Sequence, residues 1–391
     1  MEIEVAQRVE DLPKTYVFTE IAKCQRRARD AGLEILDFGV GDPDYGAPEI
    51  IVRGIAEKVR DQTTHRYPDS KGTQEYREAW ADFYYSSWRV HIDPVTEACH
   101  LLGGKEGIAD IPRAFVNPGD IVLCPDPSYP VYPEGTILAD GRPIYLPLLE
   151  ENGFLPDLRS VGEPLAKAAK IIWINSPNNP TGSVASRKYF EELAMWARTY
   201  NVMVFSDATY SHIREGGEPA PSFLQAPYAK DVGVEFHSAS KILSFTGSRC
   251  GIVVGNPEII AGLLRVKSSS DSGGPNFIQL PIAEHLSNCG EYIQQLNAEY
   301  TLRRKALQQM LSGAGFGPYQ SGATFYVWAK NPEGIPSTEL TYGLIEETGV
   351  VSIPGSGLGQ ETGEGFSRWS VACATVETIE KAEPRIRKYL T

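Results

Sequence analysis

The sequence predicts an α/β protein with a largely parallel sheet, divided into a larger and a smaller lobe. Three observations lead there. Short apolar runs alternate with helical patterns. The chain has 391 residues, more than a single hydrophobic core usually serves. From about residue 276 the pattern changes to long helical stretches.

The first 40 residues are expected to form an arm and a helix belonging with the smaller lobe, because the stretch around Tyr16-Val17-Phe18 lacks any strand–helix–strand rhythm. Residues 41–275 read as the large lobe. Its best buried strands are Ile121-Val122-Leu123-Cys124, Ile171-Ile172-Trp173-Ile174, Val202-Met203-Val204-Phe205 and Gly251-Ile252-Val253-Val254, each closed by Pro, Asn, Asp or Gly nearby. Helices are expected between them, at 187–199 and 256–266. Residues 276–391 read as the smaller lobe: helices at 276–288 and 290–312, short strands, and a last helix near 375–389. Open parallel sheets bind ligands beyond the ends of their strands, so the functional groups are expected there.

Composition narrows the function. Lys and Arg number 37 against 50 Asp and Glu, a net charge of -13 spread without long single-sign runs, which argues against nucleic acid as a partner. The six cysteines, Cys24, Cys99, Cys124, Cys250, Cys289 and Cys373, form neither a C-x-x-C pair nor a Cys/His cluster, and read as reduced, buried thiols. No stretch approaches the roughly 18 apolar residues of a membrane span, and the start has no basic region followed by an apolar run. A cytoplasmic location and no metal are expected.

The chemistry gathers around Lys241. Ser238-Ala239-Ser240-Lys241 is followed by Thr246-Gly247-Ser248-Arg249 and preceded by Asp207-x-x-Tyr210 and Asn178-Asn179-Pro180-Thr181-Gly182. An aldehyde cofactor needs an amine to hold it as a Schiff base, an acid beside its ring nitrogen, and hydroxyls or cations around its phosphate. Lys241 supplies the amine, Asp207 the acid, and Ser238, Ser240 and Arg249 the phosphate donors. Tyr210 and Asn179 are placed to reach a phenolic oxygen. Gly103-Gly104-Lys105-Glu106-Gly107 precedes an apolar helical pattern, so its amides would open a helix and favour an anion. Taken singly, Asp207 also reads as a turn cap and Tyr129, between prolines, as packing. The set together points to pyridoxal 5′-phosphate.

These motifs, with Phe38-Gly39-Val40-Gly41-Asp42-Pro43-Asp44, His65-Arg66-Tyr67-Pro68-Asp69 and the run from Pro125 to Leu155, resemble the class I/II aminotransferases of fold type I over nearly the whole chain. The resemblance is closest to the LL-diaminopimelate aminotransferase group. It implies the pyridoxal-phosphate-dependent transferase fold: a large domain with a mainly parallel seven-stranded sheet sandwiched by helices, plus a smaller α+β domain. It also implies that Lys241 carries the Schiff base and moves the Cα proton. Gly104, Lys105, Ser238, Ser240 and Arg249 would hold the phosphate. Tyr129 would stack on the ring, and Asp207, Tyr210 and Asn179 would bind it at its edge. Tyr67 would reach the phosphate in a neighbouring subunit, implying a homodimer with shared sites. Arg368 would clamp the substrate α-carboxylate, with Tyr16, Gly41, Lys105 and Asn179 as further substrate contacts.

Departures from the family's pattern are Leu243, Ser244 and Ser248 beside the lysine, Ser269, and Trp369 after the arginine. They are expected to cluster at the distal end of the substrate. Transamination of an α-amino acid is the leading expectation. The alternative is a pyridoxal-phosphate enzyme of specialised metabolism that diverts the same Cα carbanion to elimination, replacement, cyclisation or oxidation. A cofactor-binding regulator is disfavoured, since the short N-terminal arm leaves no room for a DNA-binding domain and Lys241 and Asp207 are both intact.

Overall fold

A computed structural model describes residues 3–13, 17–332 and 334–391. Seven strands form the central sheet in the order Ala98–Leu101, Gly251–Gly255, Gly233–Ser238, Met203–Asp207, Ala169–Asn175, Ile121–Asp126, Arg142–Pro147. The last five run parallel, and Gly251–Gly255 is antiparallel to both of its neighbours. Both faces are covered, which is why these strands read as unbroken apolar runs. Ile172, Ile174, Val204 and Val254 point into one core cluster, while Ile171, Trp173, Phe205 and Val253 point into the other. That period-two split follows from the alternation of side chains along a strand.

The helices that cover the sheet begin and end on ordinary signals. Arg187–Tyr200 is capped by Ser186, whose hydroxyl accepts from the Tyr189 N–H at 3.1 Å, and it closes on Asn201 in the left-handed region. Its face Phe190, Leu193, Ala194 and Ala197 is buried. Gly104–Phe115 and Pro257–Ser270 pack together on the other side through Ile108, Ile111, Ile260 and Leu263.

A second body packs beside the strand ends. It is built on an antiparallel sheet ordered Ile353–Pro354, Phe366–Ser370, Tyr326–Lys330, Gly317–Pro318, with the helices Ser337–Thr348 and Val376–Leu390 and the N-terminal helix Val17–Asp30. Leu36–Asp37 pairs with Val350–Val351 and ties the N-terminal segment to it. The helix Gly290–Gly313 spans both bodies: Ile293 lies in the large sheet's cluster, and Leu296, Tyr300, Leu307 and Leu311 lie in the other.

One packing relation differs from the sequence expectation. Asn276–His285, read as part of the smaller lobe, packs on Glu49–Lys58 and Gln74–Trp88, and its Ile282 is buried in the large sheet's cluster. Gly54 allows this approach, since a Cβ there would come 2.9 Å from Pro281. Helical periodicity alone does not say which body a helix covers. Among the described residues no helix is long and apolar enough to cross a membrane.

Candidate active site

A cavity of about 360 Å³ lies between the carboxyl ends of the central strands and the second body. Gly41, Gly104, Lys105, Tyr129, Asn179, Asp207, Tyr210, Ser238, Ser240, Lys241, Arg249 and Arg368 all line it. The topology explains the convergence, because Asn175, Asp207 and Ser238 are the last residues of three adjacent parallel strands. The fold therefore delivers their side chains to one edge.

Lys241 follows directly from the strand that ends at Ser238. The Ser238 hydroxyl accepts from the Ser240 N–H at 3.2 Å and starts the short helix Ala239–Ile242. The Lys241 ammonium donates to the Gly41 carbonyl at 2.8 Å and lies 5.5 Å from the Phe325 ring centroid. Burial, with Arg368 and Arg249 nearby and only Asp42 opposing, brings its pKa down from 10.5 to about 8. A larger share of neutral amine near neutral pH is what a nucleophile or base requires.

Asp207 is held on both oxygens. Oδ2 accepts from the Tyr132 hydroxyl at 2.7 Å and Oδ1 from the Thr209 N–H at 3.0 Å. Asn175, directly across the ladder, donates to the Asp207 carbonyl at 2.8 Å, and its own Oδ1 accepts from the Asn179 N–H at 2.7 Å. Two bonds leave lone pairs of the carboxylate for a donor in the cavity. The acid and the Asn179 turn are thus one connected unit.

At the opposite end the helix Gly104–Phe115 opens without a side-chain cap. Its N-cap, Gly103, has φ +78°, and a Cβ there would come 2.5 Å from the Arg249 guanidinium. Arg249 donates to the carbonyls of Thr246 at 2.9 Å and Leu102 at 3.1 Å. First-turn amides, a guanidinium and the Ser238 and Ser240 hydroxyls around one corner make a receptor for a dianion. The Lys105 ammonium lies 6.0 Å from the centroid of the Tyr129 ring.

Arg368 enters from the second body, on the strand Phe366–Ser370, and is 3% exposed. It donates to Asn179 Oδ1 at 3.0 Å and to the Gly39 carbonyl at 2.8 Å, with the Tyr326 ring at 4.3 Å and the Phe18 ring at 5.8 Å. Its Nε has no hydrogen-bond partner among the described residues. Both acceptors are neutral, so the charge of this buried guanidinium is left for an anionic ligand.

Of the remaining expected residues, one lies outside this cavity and one outside the described part of the chain. Tyr67 is 91% exposed and outside it, and Tyr16 lies outside the described residues. The departures Leu243, Ser244, Ser248, Ser269 and Trp369 do not line it either, which corrects their expected place at the distal substrate end. Leu243 and Trp369 are core residues, the latter packed between Phe38 and Phe316. The Ser244 hydroxyl donates to the Tyr45 carbonyl at 2.7 Å and Ser248 to that of Phe245 at 2.7 Å, while Ser269 lies exposed in the last turn of Pro257–Ser270.

Sequence reasoning missed Tyr132, Asn175, Thr209, Asp42 and Tyr326, which also line the cavity. Tyr132 sits in the apolar pattern of Val131–Leu138, where an aromatic reads as core. Tyr326 bonds the Tyr210 hydroxyl at 3.3 Å, and a Cβ on Gly41 would overlap its hydroxyl. The glycine in Gly39-Val40-Gly41 was the available signal.

The donor set fits a phosphorylated pyridine aldehyde. It offers an amine of lowered pKa, a carboxylate anchored by two donors, and an uncapped helix start beside a guanidinium. No group of three or more His, Cys, Asp or Glu with the arrangement of a metal site occurs among the described residues.

Fold and site together define a fold-type I transferase, and the chain belongs to the aminotransferase class I and II family, whose profile matches residues 34–386. It is 46% identical over 380 residues to the LL-diaminopimelate aminotransferase of Aquifex aeolicus, covering 97% of this chain and 98% of that one. With the enzyme of the same name from Halothermothrix orenii it shares 43% over 385 residues, 98% of each. Among solved structures, a probable N-succinyldiaminopimelate aminotransferase from Thermus thermophilus superposes with a TM-score of 0.91 at 34% identity, covering 95% of this chain and 100% of that one. These relatives are named for transamination, and none of those names points to the diverted chemistry.

Proposed function

We propose that the chain is an LL-diaminopimelate aminotransferase that uses pyridoxal 5′-phosphate and works as a homodimer. The carrying observation is the buried Arg368 guanidinium, with neutral protein partners and an unused Nε, in the same cavity as a lysine of lowered pKa. Such a guanidinium suits the α-carboxylate of an amino acid, which it can meet with parallel N–H donors. The identity of the amino acid is supported by the names of the relatives.

When bound, the cofactor supplies an electrophilic aldehyde carbon and a pyridine ring able to take up the electron pair released at the substrate Cα. Gly104, Lys105, Ser238, Ser240 and Arg249 would hold its phosphate, Tyr129 would cover the ring, and Asn179 and Tyr210 would meet its phenolic oxygen. Asp207 would keep the ring nitrogen protonated, with Tyr132 and Thr209 fixing the carboxylate in place. Lys241 Nζ takes the Cα proton and later returns one, and its lowered pKa near 8 matches that task to neutral pH. Arg368 orients the substrate through its carboxylate, with Gly41, Lys105 and Asn179 beside it.

Tyr67, an exposed aromatic that does not line the cavity of its own chain, would serve the phosphate site of a second subunit. The five buried cysteines, none in a disulfide, support a reducing, cytoplasmic setting. We also propose two lobes, the smaller built from residues 1–40 and the chain after 276, with the helix Asn276–His285 moved to the larger one on its packing.

The test is a half-reaction. Protein loaded with pyridoxal 5′-phosphate is mixed with LL-diaminopimelate or other α-amino acids, and loss of the cofactor's aldehyde absorbance is followed together with keto acid release. LL-diaminopimelate should react fastest, and Arg368→Gln should lower kcat/KM by roughly 10²- to 10³-fold, as expected for losing a buried charge pair. Conversion by other amino acids but not by LL-diaminopimelate would reject the substrate. Failure to take up the cofactor would reject the whole reading.

A further inference from the structure

Lys267 is fully buried, with no exposed side-chain surface, in the last turn of Pro257–Ser270. It is outside the cavity. Its ammonium donates to Glu106 Oε1 at 2.9 Å and to Asp271 Oδ2 at 3.0 Å. Burial works against its charge, but the two carboxylates prevail and its pKa is raised. A lysine kept charged in a buried position needs such partners, so this cluster is built to keep it there.

Each carboxylate passes the contact on. Glu106 stands in the first turn of the helix that opens at Gly104, and its second oxygen accepts from the Leu102 N–H at 3.0 Å. The Leu102 carbonyl accepts from Arg249 at 3.1 Å. Lys267 is thereby linked through Glu106 and the 102–104 turn to the guanidinium and helix start that face the cavity. On the other side Asp271 Oδ1 accepts from the Gly273 N–H at 2.6 Å, and the Asp271 carbonyl accepts from the Ser70 hydroxyl at 3.2 Å. Gly273 packs so closely on Asp69 that a Cβ would overlap the Asp69 carbonyl.

The helix start has no cap of its own. Gly103 brings no side chain, and Arg249 lies where one would be. Besides the Gly103 N–H bond to the Leu101 carbonyl at 2.8 Å and the Arg249 bond to the Leu102 carbonyl, the turn is held by the Glu106 carboxylate, which Lys267 holds in turn.

From this geometry we infer that Lys267 is a positioning residue for the anion corner of the active site, acting through Glu106 on the 102–104 turn and Arg249 without touching the ligand. The inference rests on the proposed phosphate-bearing cofactor. It assigns Lys267 a specific role in discriminating the phosphorylated ligand, beyond general support of the fold.

The experiment compares affinities of the full-length apoprotein for pyridoxal 5′-phosphate and for pyridoxal, which lacks the phosphate, by spectroscopic titration. In Lys267→Met the affinity for pyridoxal 5′-phosphate should fall by about 10- to 100-fold, by analogy with the loss when the groups that hold metal-ligating side chains are removed. Pyridoxal affinity should stay within about twofold, so the ratio of the two affinities collapses. Equal losses for both ligands, or no loss for either, would overturn the inference. If Lys267→Met does not fold, Glu106→Gln decides: it keeps the side chain's shape but weakens the pairing, and should lower the same ratio by a smaller factor. An unchanged ratio in that variant would overturn the inference. Wild-type protein that binds neither ligand would instead reject the proposed cofactor.

Discussion

Lys241→Met should make the apoprotein more stable at neutral pH. The wild-type ammonium is pressed by burial and by the positive charges of Arg368 and Arg249, which takes its pKa from 10.5 to about 8. The interval between those values corresponds to roughly 3 kcal/mol against the charged folded form, at about 1.4 kcal/mol per pKa unit. Two effects reduce the gain. Lys241 is only partly buried, which weakens the penalty through solvent screening, and methionine leaves the Gly41 carbonyl without the donor it has at 2.8 Å, a loss of about 1 kcal/mol. A net gain of about 1 to 2 kcal/mol remains.

The sign follows from the protonation states. The folded state releases its proton at about 8 and the unfolded state only at 10.5, so the penalty is fully present below pH 8 and disappears as pH rises through 10.5. Urea unfolding of the two apoproteins at pH 7 and pH 10 measures it. The variant should have the higher midpoint at pH 7, and the curves should converge near pH 10, where the lost hydrogen bond offsets what is left. A variant that is less stable at pH 7, or an advantage independent of pH, would refute the account of Lys241 as an electrostatically strained amine.

Tyr132→Phe removes the 2.7 Å donor to Asp207 while keeping the ring stacked on Trp173, and should lower kcat by roughly tenfold or more, since hydrogen bonds to charged groups are worth about 1.5–3 kcal/mol; unchanged kcat in a steady-state assay would remove Tyr132 from the support of Asp207. Gly41→Ala should impair turnover strongly because its Cβ overlaps the Tyr326 hydroxyl, and adding Tyr326→Phe should restore part of the loss. The double-mutant cycle reads this coupling directly, and strictly additive effects would contradict it.

Much of the site was legible in the chain. Lys241, Asp207, Ser238 and Asn179 stand beside strand ends, and strand ends can be read from short apolar runs closed by punctuating residues. Gly103 and Gly104 announced a helix start able to favour an anion. Arg368 was carried by family resemblance, since nothing local marks an arginine on a strand of a different sheet as facing the same cavity. Tyr132 was hidden because a tyrosine in an apolar helix has the same local pattern whether its hydroxyl meets solvent, backbone or a catalytic carboxylate. Lys267 was hidden more deeply, because a lysine in a last helical turn usually reads as solvated and near the helix dipole.

The sequence by itself determined the α/β rhythm, the strands and helices, and the residue types that a pyridoxal-type cofactor needs, because these depend on periodicity and on chemistry carried by short segments. Only the tertiary structure decided which long-range partners complete them. It placed Arg368 against Asn179 and Gly39, Tyr132 against Asp207, and Lys267 between Glu106 and Asp271. It also put Trp369 and Leu243 in cores away from the cavity and Asn276–His285 on the large sheet. Those outcomes depend on which faces meet across the fold, and a side chain's burial and charge partners exist only once they have met.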